Sequence, residues 1–271
     1  MRSLKNLSPR TLLLLQLAAF WPAWKWMAWR LTSCPNEIWE MLPLIAVGGI
    51  LFLRARTGSQ ATPPNLLLPT MLTLFYAATF GVLPDLPRTA IAFTALAATL
   101  SVIYMQRPFH IGLWGLLLLS LQLQNGLQFY LGYPLRVLAA VISAPLLRLS
   151  GFNVVADGTC LNWGGELVLI DAPCSGIKML WAGMFLAFLL AAVNNFNWLR
   201  SAIVCVSAVA VVILANILRA TALFYVEAGV IDVPAWTHTG VGVLMFALTA
   251  VCIVLCADKI QKGVPCAAHS S

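Results

Sequence analysis

The 271-residue chain is 61% apolar and only 9% charged, with a net charge of +7 and a mean hydropathy of +0.90. That composition excludes an ordinary soluble domain and predicts an all-α, polytopic membrane bundle. The basic residues are scattered among apolar spans with no run of interleaved polar residues, so the positive charge speaks for membrane topology and against nucleic acid.

A hydrocarbon core of about 30 Å takes roughly 20 helical residues, so the chain has room for about eight crossings. The first run begins after Arg2, Lys5 and Arg10 and is interrupted by Trp21, Trp24, Trp26 and Trp29. It reads as a retained helix with interfacial aromatic anchors, not as a cleaved signal. Breakers and apolar runs place helices at 11–29, 38–53, 65–82, 88–105 and 109–125, and again at 174–193, 200–226 and 235–257. Between these groups, 134–149 reads as a helix too short to cross comfortably, hence interfacial or re-entrant. The stretch 152–170, punctuated by Gly158, Gly164 and Gly165, reads as a short two-stranded excursion into water.

The excess of Lys and Arg at cytoplasmic ends fixes the orientation. With the N-terminus inside, that side receives Arg2, Lys5, Arg10, Arg54, Arg56, Arg107, Arg200, Lys259 and Lys262. Arg30, Arg88, Arg136 and Arg148 are the exceptions, and if 134–149 crosses the membrane the sidedness of everything before it inverts. The acidic residues Glu37, Glu40, Asp85, Asp157, Glu166, Asp171, Glu227 and Asp232 fall outside. The expected organisation is one integral membrane domain, 1–271, made of N-terminal spans (1–132), an interfacial helix and extracytoplasmic hairpin (133–173), three chemistry-bearing helices (174–258) and a cytoplasmic tail (259–271).

The chemistry collects in the second half. In the segment DAPCSGIK, Asp171 suits an N-cap, Pro173 a first turn, and Cys174 the position where unpaired amides favour a thiolate. Lys178 falls four residues on, on the same face. Arg219 lies inside an apolar span, where a cation must face the bundle interior or a wet cleft. Asn216 is one turn back and either orients the guanidinium or packs between helices. His238 opens the last span at the level of Cys174, whereas His110 and His269 fall on the opposite side and look incidental. The seven cysteines include no CxxC pair and no metal spacing, so neither a disulfide framework nor a metal site is expected. Thiol, imidazole and guanidinium from three consecutive helices form the set that thiol acyl transfer requires.

These residues resemble the exosortase/archaeosortase family of polytopic membrane transpeptidases. The likeness covers residues 133–242 and is carried by Cys174, Ser175 and Gly176, by the N-x-x-R of Asn216 and Arg219, and by His238 through Gly242. It departs at Pro173, where the family often has Ala. A His as the third member is more similar to the bacterial exosortases than to archaeal relatives.

The resemblance implies a Cys174, Arg219 and His238 triad in a bacterial inner membrane, facing the periplasm, with no cofactor. Its partners would be membrane lipids and exported proteins carrying a C-terminal sorting signal: a short motif, a transmembrane helix and a basic tail. Residues 152–170 would then either bind the extended motif by strand addition or act as an inert lid. The competing readings are a transporter holding an anionic solute with Arg219 and Lys178, and a non-catalytic scaffold. A thiol oxidoreductase is disfavoured, since Cys160 is the only plausible second thiol in the outer loops.

Overall fold

The computed structural model describes residues 9–56, 65–231, 233–234 and 236–263; Arg2, Lys5, Asp232 and His269 lie outside the described residues. The fold is all-helical with one small sheet. Among the described residues, six helices are long and apolar enough to cross a membrane. By its contacts the chain divides into two compact units, Met1–Gln122 with Phe188–Ala202, and Leu123–Ala187 with Ile203–Ser271.

The first unit begins with α1 (Pro9–Ala19) and α2 (Trp21–Ser33), where a single helix over 11–29 was expected. Pro22 explains the break, because it sits in the first turn of α2 and its ring cannot coexist with the carbonyl one turn back. A short 3₁₀ stretch leads into α3 (Leu42–Arg56), followed by α4 (Leu67–Thr79), α5 (Asp85–Met105) and α6 (Ile111–Leu119). The expected fifth span, 109–125, is therefore only the nine residues of α6. His110, read as incidental, is buried and caps this helix, its Nδ1 accepting from the Leu113 amide. Gly112 allows α6 to pack directly on backbone, since a Cβ there would sit 2.6 Å from the Ala192 nitrogen.

The second unit carries α7 (Gln124–Leu149), strands β1 (Val154–Asp157), β2 (Cys160–Trp163) and β3 (Glu166–Leu169), then α8 (Ile177–Val193), α9 (Trp198–Glu227) and α10 (Thr237–Lys262); α8 and α9 each begin or end in the first unit. The expected two-stranded excursion is a three-stranded antiparallel meander in the order β1-β2-β3. Two-residue turns close it at Gly158 and Thr159 and at Gly164 and Gly165. Gly164 and Gly165 both have positive φ, +63° and +93°, the type I′ geometry that matches strand twist. Val154, Leu161 and Ile170 from one face of the sheet pack with Leu147 of α7 and Phe224 of α9 in a single apolar cluster that includes Cys174.

Helix α7 corrects the reading of 134–149. It has 26 residues, with Pro134 and Pro145 inside it, and its length suffices to cross. Its contacts nevertheless run across the unit. Gln128 meets Ser175, Ser143 meets the Ile217 carbonyl, and Arg148 meets the Val154 carbonyl, next to Phe152, which packs on Phe224. From Gln128 to Leu147 is about 28 Å of helix, while from Asn216 to Phe224 on α9 is about 12 Å. Helix α7 therefore passes obliquely over the ends of α8 and α9 that carry the sheet.

The four arginines that break the charge-sidedness pattern are each held by the fold. Arg30 pairs with Glu37 at 3.0 Å and donates to the Gln122 carbonyl at 3.1 Å. Arg88 pairs with Asp85 and with the Phe80 carbonyl. Arg136 and Arg148 donate to the Gly132 and Val154 carbonyls. By contrast Arg54 and Arg107 bind carbonyls at the C-terminal end of α8 and just beyond it, Arg54 at Val193 and Arg107 at Asn195 and Phe196. Cations are favoured there because the helix leaves unpaired acceptors.

Candidate active site

Cys174 does not occupy the first turn of α8. It lies in a separate 3₁₀ turn, Ala172–Ser175, which ends at Gly176 with φ +82° before α8 begins at Ile177. Asp171 precedes this turn but makes no side-chain capping bond; its backbone carbonyl accepts from the Cys174 amide at 2.9 Å. The helix-terminus argument for a thiolate therefore does not carry over, and the surroundings of the sulfur must come from elsewhere.

They come from α9 and α10. The Cys174 Sγ lies 3.7 Å from Nε2 of His238, the second residue of α10. Arg219, Asp171 and Glu227 are the charged side chains whose fields reach the sulfur. Lys178 is not among them; it is exposed on α8. The Arg219 guanidinium lies over Gly242 of α10, so near that a methyl group there would touch Nε and one terminal nitrogen at 3.5 Å. Arg219 Nε is buried and has no hydrogen-bond partner among the described residues. Cys174, His238, Asp171 and Glu227 line one cleft, walled by Leu161 and Leu169 of the sheet and enclosing about 380 Å³ of space, open solvent included.

The backbone of the Cys174 turn is held from two sides. Asn216, expected either to orient Arg219 or to pack between helices, donates its Nδ2 N–H to the Cys174 carbonyl at 3.1 Å. Gly176 makes this possible, since a Cβ there would lie 2.7 Å from the Asn216 amide carbon, and its left-handed φ strains any other residue. On the other side Gln128 of α7 accepts from the Ser175 hydroxyl at 2.8 Å and donates to the Ala172 carbonyl at 3.3 Å. Gly132, one turn on, leaves the space in which that amide folds back, because a Cβ there would sit 2.6 Å from Gln128 Nε2.

Gln128 and Glu227 are the two polar residues of this region that the motif reading passed over. A faint signal for Gln128 exists in its i,i+4 spacing to Gly132. Cys160 stands free on β2, opposite Leu169 of β3. No group of residues able to hold a metal ion occurs among the described residues.

A family model described as transmembrane exosortase (Exosortase_EpsH) matches residues 8–255. The match extends well beyond 133–242, so the N-terminal spans share in it. No curated protein and no solved structure matches the chain.

Proposed function

The chain belongs to the transmembrane exosortase family, and from that membership we propose that it is a membrane-embedded cysteine transpeptidase whose nucleophile is Cys174. The family acts as membrane transpeptidases on exported proteins with C-terminal sorting signals. The observation that carries the assignment of residues is the 3.7 Å approach of the Cys174 sulfur to His238 Nε2 inside an open cleft.

In this reading His238 takes the thiol proton as the sulfur attacks the scissile carbonyl, forming a C–S bond and an oxyanion. Arg219 supports that step with a positive charge and a buried Nε–H that has no partner of its own. Collapse of the oxyanion breaks the C–N bond, and His238 returns its proton to the departing amine, leaving a thioester on Cys174. An acceptor nucleophile then gives its proton to His238 and takes the acyl group, and the proton goes back to the thiolate. A substrate tethered by its own transmembrane helix meets the cleft at bilayer depth, which makes the encounter nearly intramolecular. Asp171, Ser175, Gly176 and Asn216 serve in shaping the turn; Lys178, exposed on α8, has no part in this mechanism. Its exposure also leaves the anion-transport reading with Arg219 alone.

Cys174→Ala and Cys174→Ser are both expected to abolish processing of a tagged exported substrate while membrane levels of the enzyme persist. Mass spectrometry should find the acyl group of the substrate on Cys174 in the wild-type protein. Processing retained by Cys174→Ala would end the proposal.

A further inference from the structure

The sheet beside the cleft has two edges, and the fold treats them differently. In β2 and β3 the Ile170 amide donates to the Thr159 carbonyl at 3.0 Å, and Leu161 pairs with Val168 and Trp163 with Glu166. Antiparallel pairing alternates, so Ile170, Val168 and Glu166 turn their backbone groups toward β2. Leu167 and Leu169 therefore turn theirs outward. On β1 the outward groups of Val154 are taken, its carbonyl by Arg148 at 2.7 Å and its amide by the Phe152 carbonyl at 3.0 Å, and only those of Ala156 pair with no described residue. On β3 no described residue pairs with the outward groups of Leu167 and Leu169. Both side chains are exposed, at 60% and 52%, and Leu169 already forms part of the cleft wall that continues through Asp171 to Cys174.

We propose that the open edge of β3 is the docking rail for the substrate, an extended peptide segment pairing as a fourth strand so that its scissile bond reaches Cys174. This rests on the reading of Cys174 as nucleophile. The occupant must be an extended peptide because the edge offers backbone donors and acceptors at every second residue, about 6.8 Å apart, and these match only another strand. Main-chain pairing of this kind holds a peptide with little regard to its sequence, while side chains at alternate positions add selectivity. Continuity of the edge with the cleft decides for a substrate: Leu169 of the open edge lines the same cleft as Cys174.

Full-length protein in detergent tests this with two alkylating reagents, the labelled Cys174 peptide being followed by mass spectrometry. Iodoacetamide reports the thiol alone. N-acetyl-penta-alanine chloromethyl ketone, in which the thiolate sulfur displaces chloride to form a C–S bond, reports the thiol and the docked backbone together. Methylating alternate amide nitrogens of the pentapeptide gives two complementary reagents. One should label Cys174 about tenfold more slowly and the other within about twofold of the parent, because only one set of N–H groups faces β3. Leu169→Pro removes an outward N–H without breaking a ladder bond and should slow the peptide reagent about fivefold relative to iodoacetamide on the same variant. If that variant fails to fold, the methylated pair still decides on the wild-type protein.

Equal rates for the two methylated reagents overturn the docking rail, as does a wild-type ratio of peptide to iodoacetamide labelling in a folded Leu169→Pro. So does a Leu169→Pro that alters the oligomeric state without altering peptide labelling, which gives the edge to a second copy of the chain. Failure of the nucleophile reading has a separate signature: processing that survives Cys174→Ala.

Discussion

At the residue scale, the Cys174 turn depends on groups that never touch the sulfur. Its carbonyl is held by Asn216, and its neighbours Ala172 and Ser175 are held by Gln128. A net gain of about 1 kcal/mol per hydrogen bond is typical, so losing both Gln128 contacts should let the turn drift from His238. Gln128→Ala is therefore expected to lower processing about tenfold while the amount of protein in the membrane stays at the wild-type level. Gln128→Glu, which can accept from Ser175 but cannot donate to Ala172, should fall between the two. A uniform loss of protein from the membrane in Gln128→Ala would mark the residue as structural only. The identity of Cys174, Arg219 and His238 as candidates was legible from residue type and spacing. Gln128 was not, because a glutamine in an apolar helix carries no chemistry until the fold puts a serine hydroxyl in front of it.

At the scale of elements, the sequence signals were good where they were local. Paired glycines at Gly164 and Gly165 announced a hairpin, and both take the left-handed φ that such a turn needs. Replacing both by Val forces branched side chains into that region at roughly 1–2 kcal/mol each. The double variant should loosen β2 from β3, which limited proteolysis would read as new cleavage between them, and processing should fall with it. Gly164→Asn, compatible with the same turn, should leave both measurements near wild type. Signals failed where packing overrode pattern. Apolar periodicity continued through Pro22, yet the proline split α1 from α2. The start of α7 was placed at Pro134, although the helix begins at Gln124 and carries two prolines; both are exposed, so their rings clear the packed face.

For the whole molecule, composition alone required a membrane, and the distribution of arginines proposed an orientation with the sheet outside. Four arginines violate the simple count, and each has carbonyl or carboxylate partners that account for its place. Cysteines introduced at the exposed positions Asp157 and Lys262, in a chain whose seven native cysteines are replaced by alanine, should report the sidedness. A membrane-impermeant maleimide on intact cells is expected to label Asp157→Cys, and Lys262→Cys only after permeabilisation. The reverse pattern would place the cleft in the cytoplasm and remove exported proteins as substrates. What the sequence by itself determined was the class of the protein, its helical and membrane-spanning character and which side chains could carry chemistry, because hydrophobicity and residue chemistry are properties of the chain. Only the tertiary structure decided that Cys174 stands in its own turn beside His238, that Asn216 serves the backbone instead of Arg219, and that α7 crosses over the site. Those outcomes depend on which surfaces close against each other, and distances between remote segments are written in packing, not in spacing along the chain.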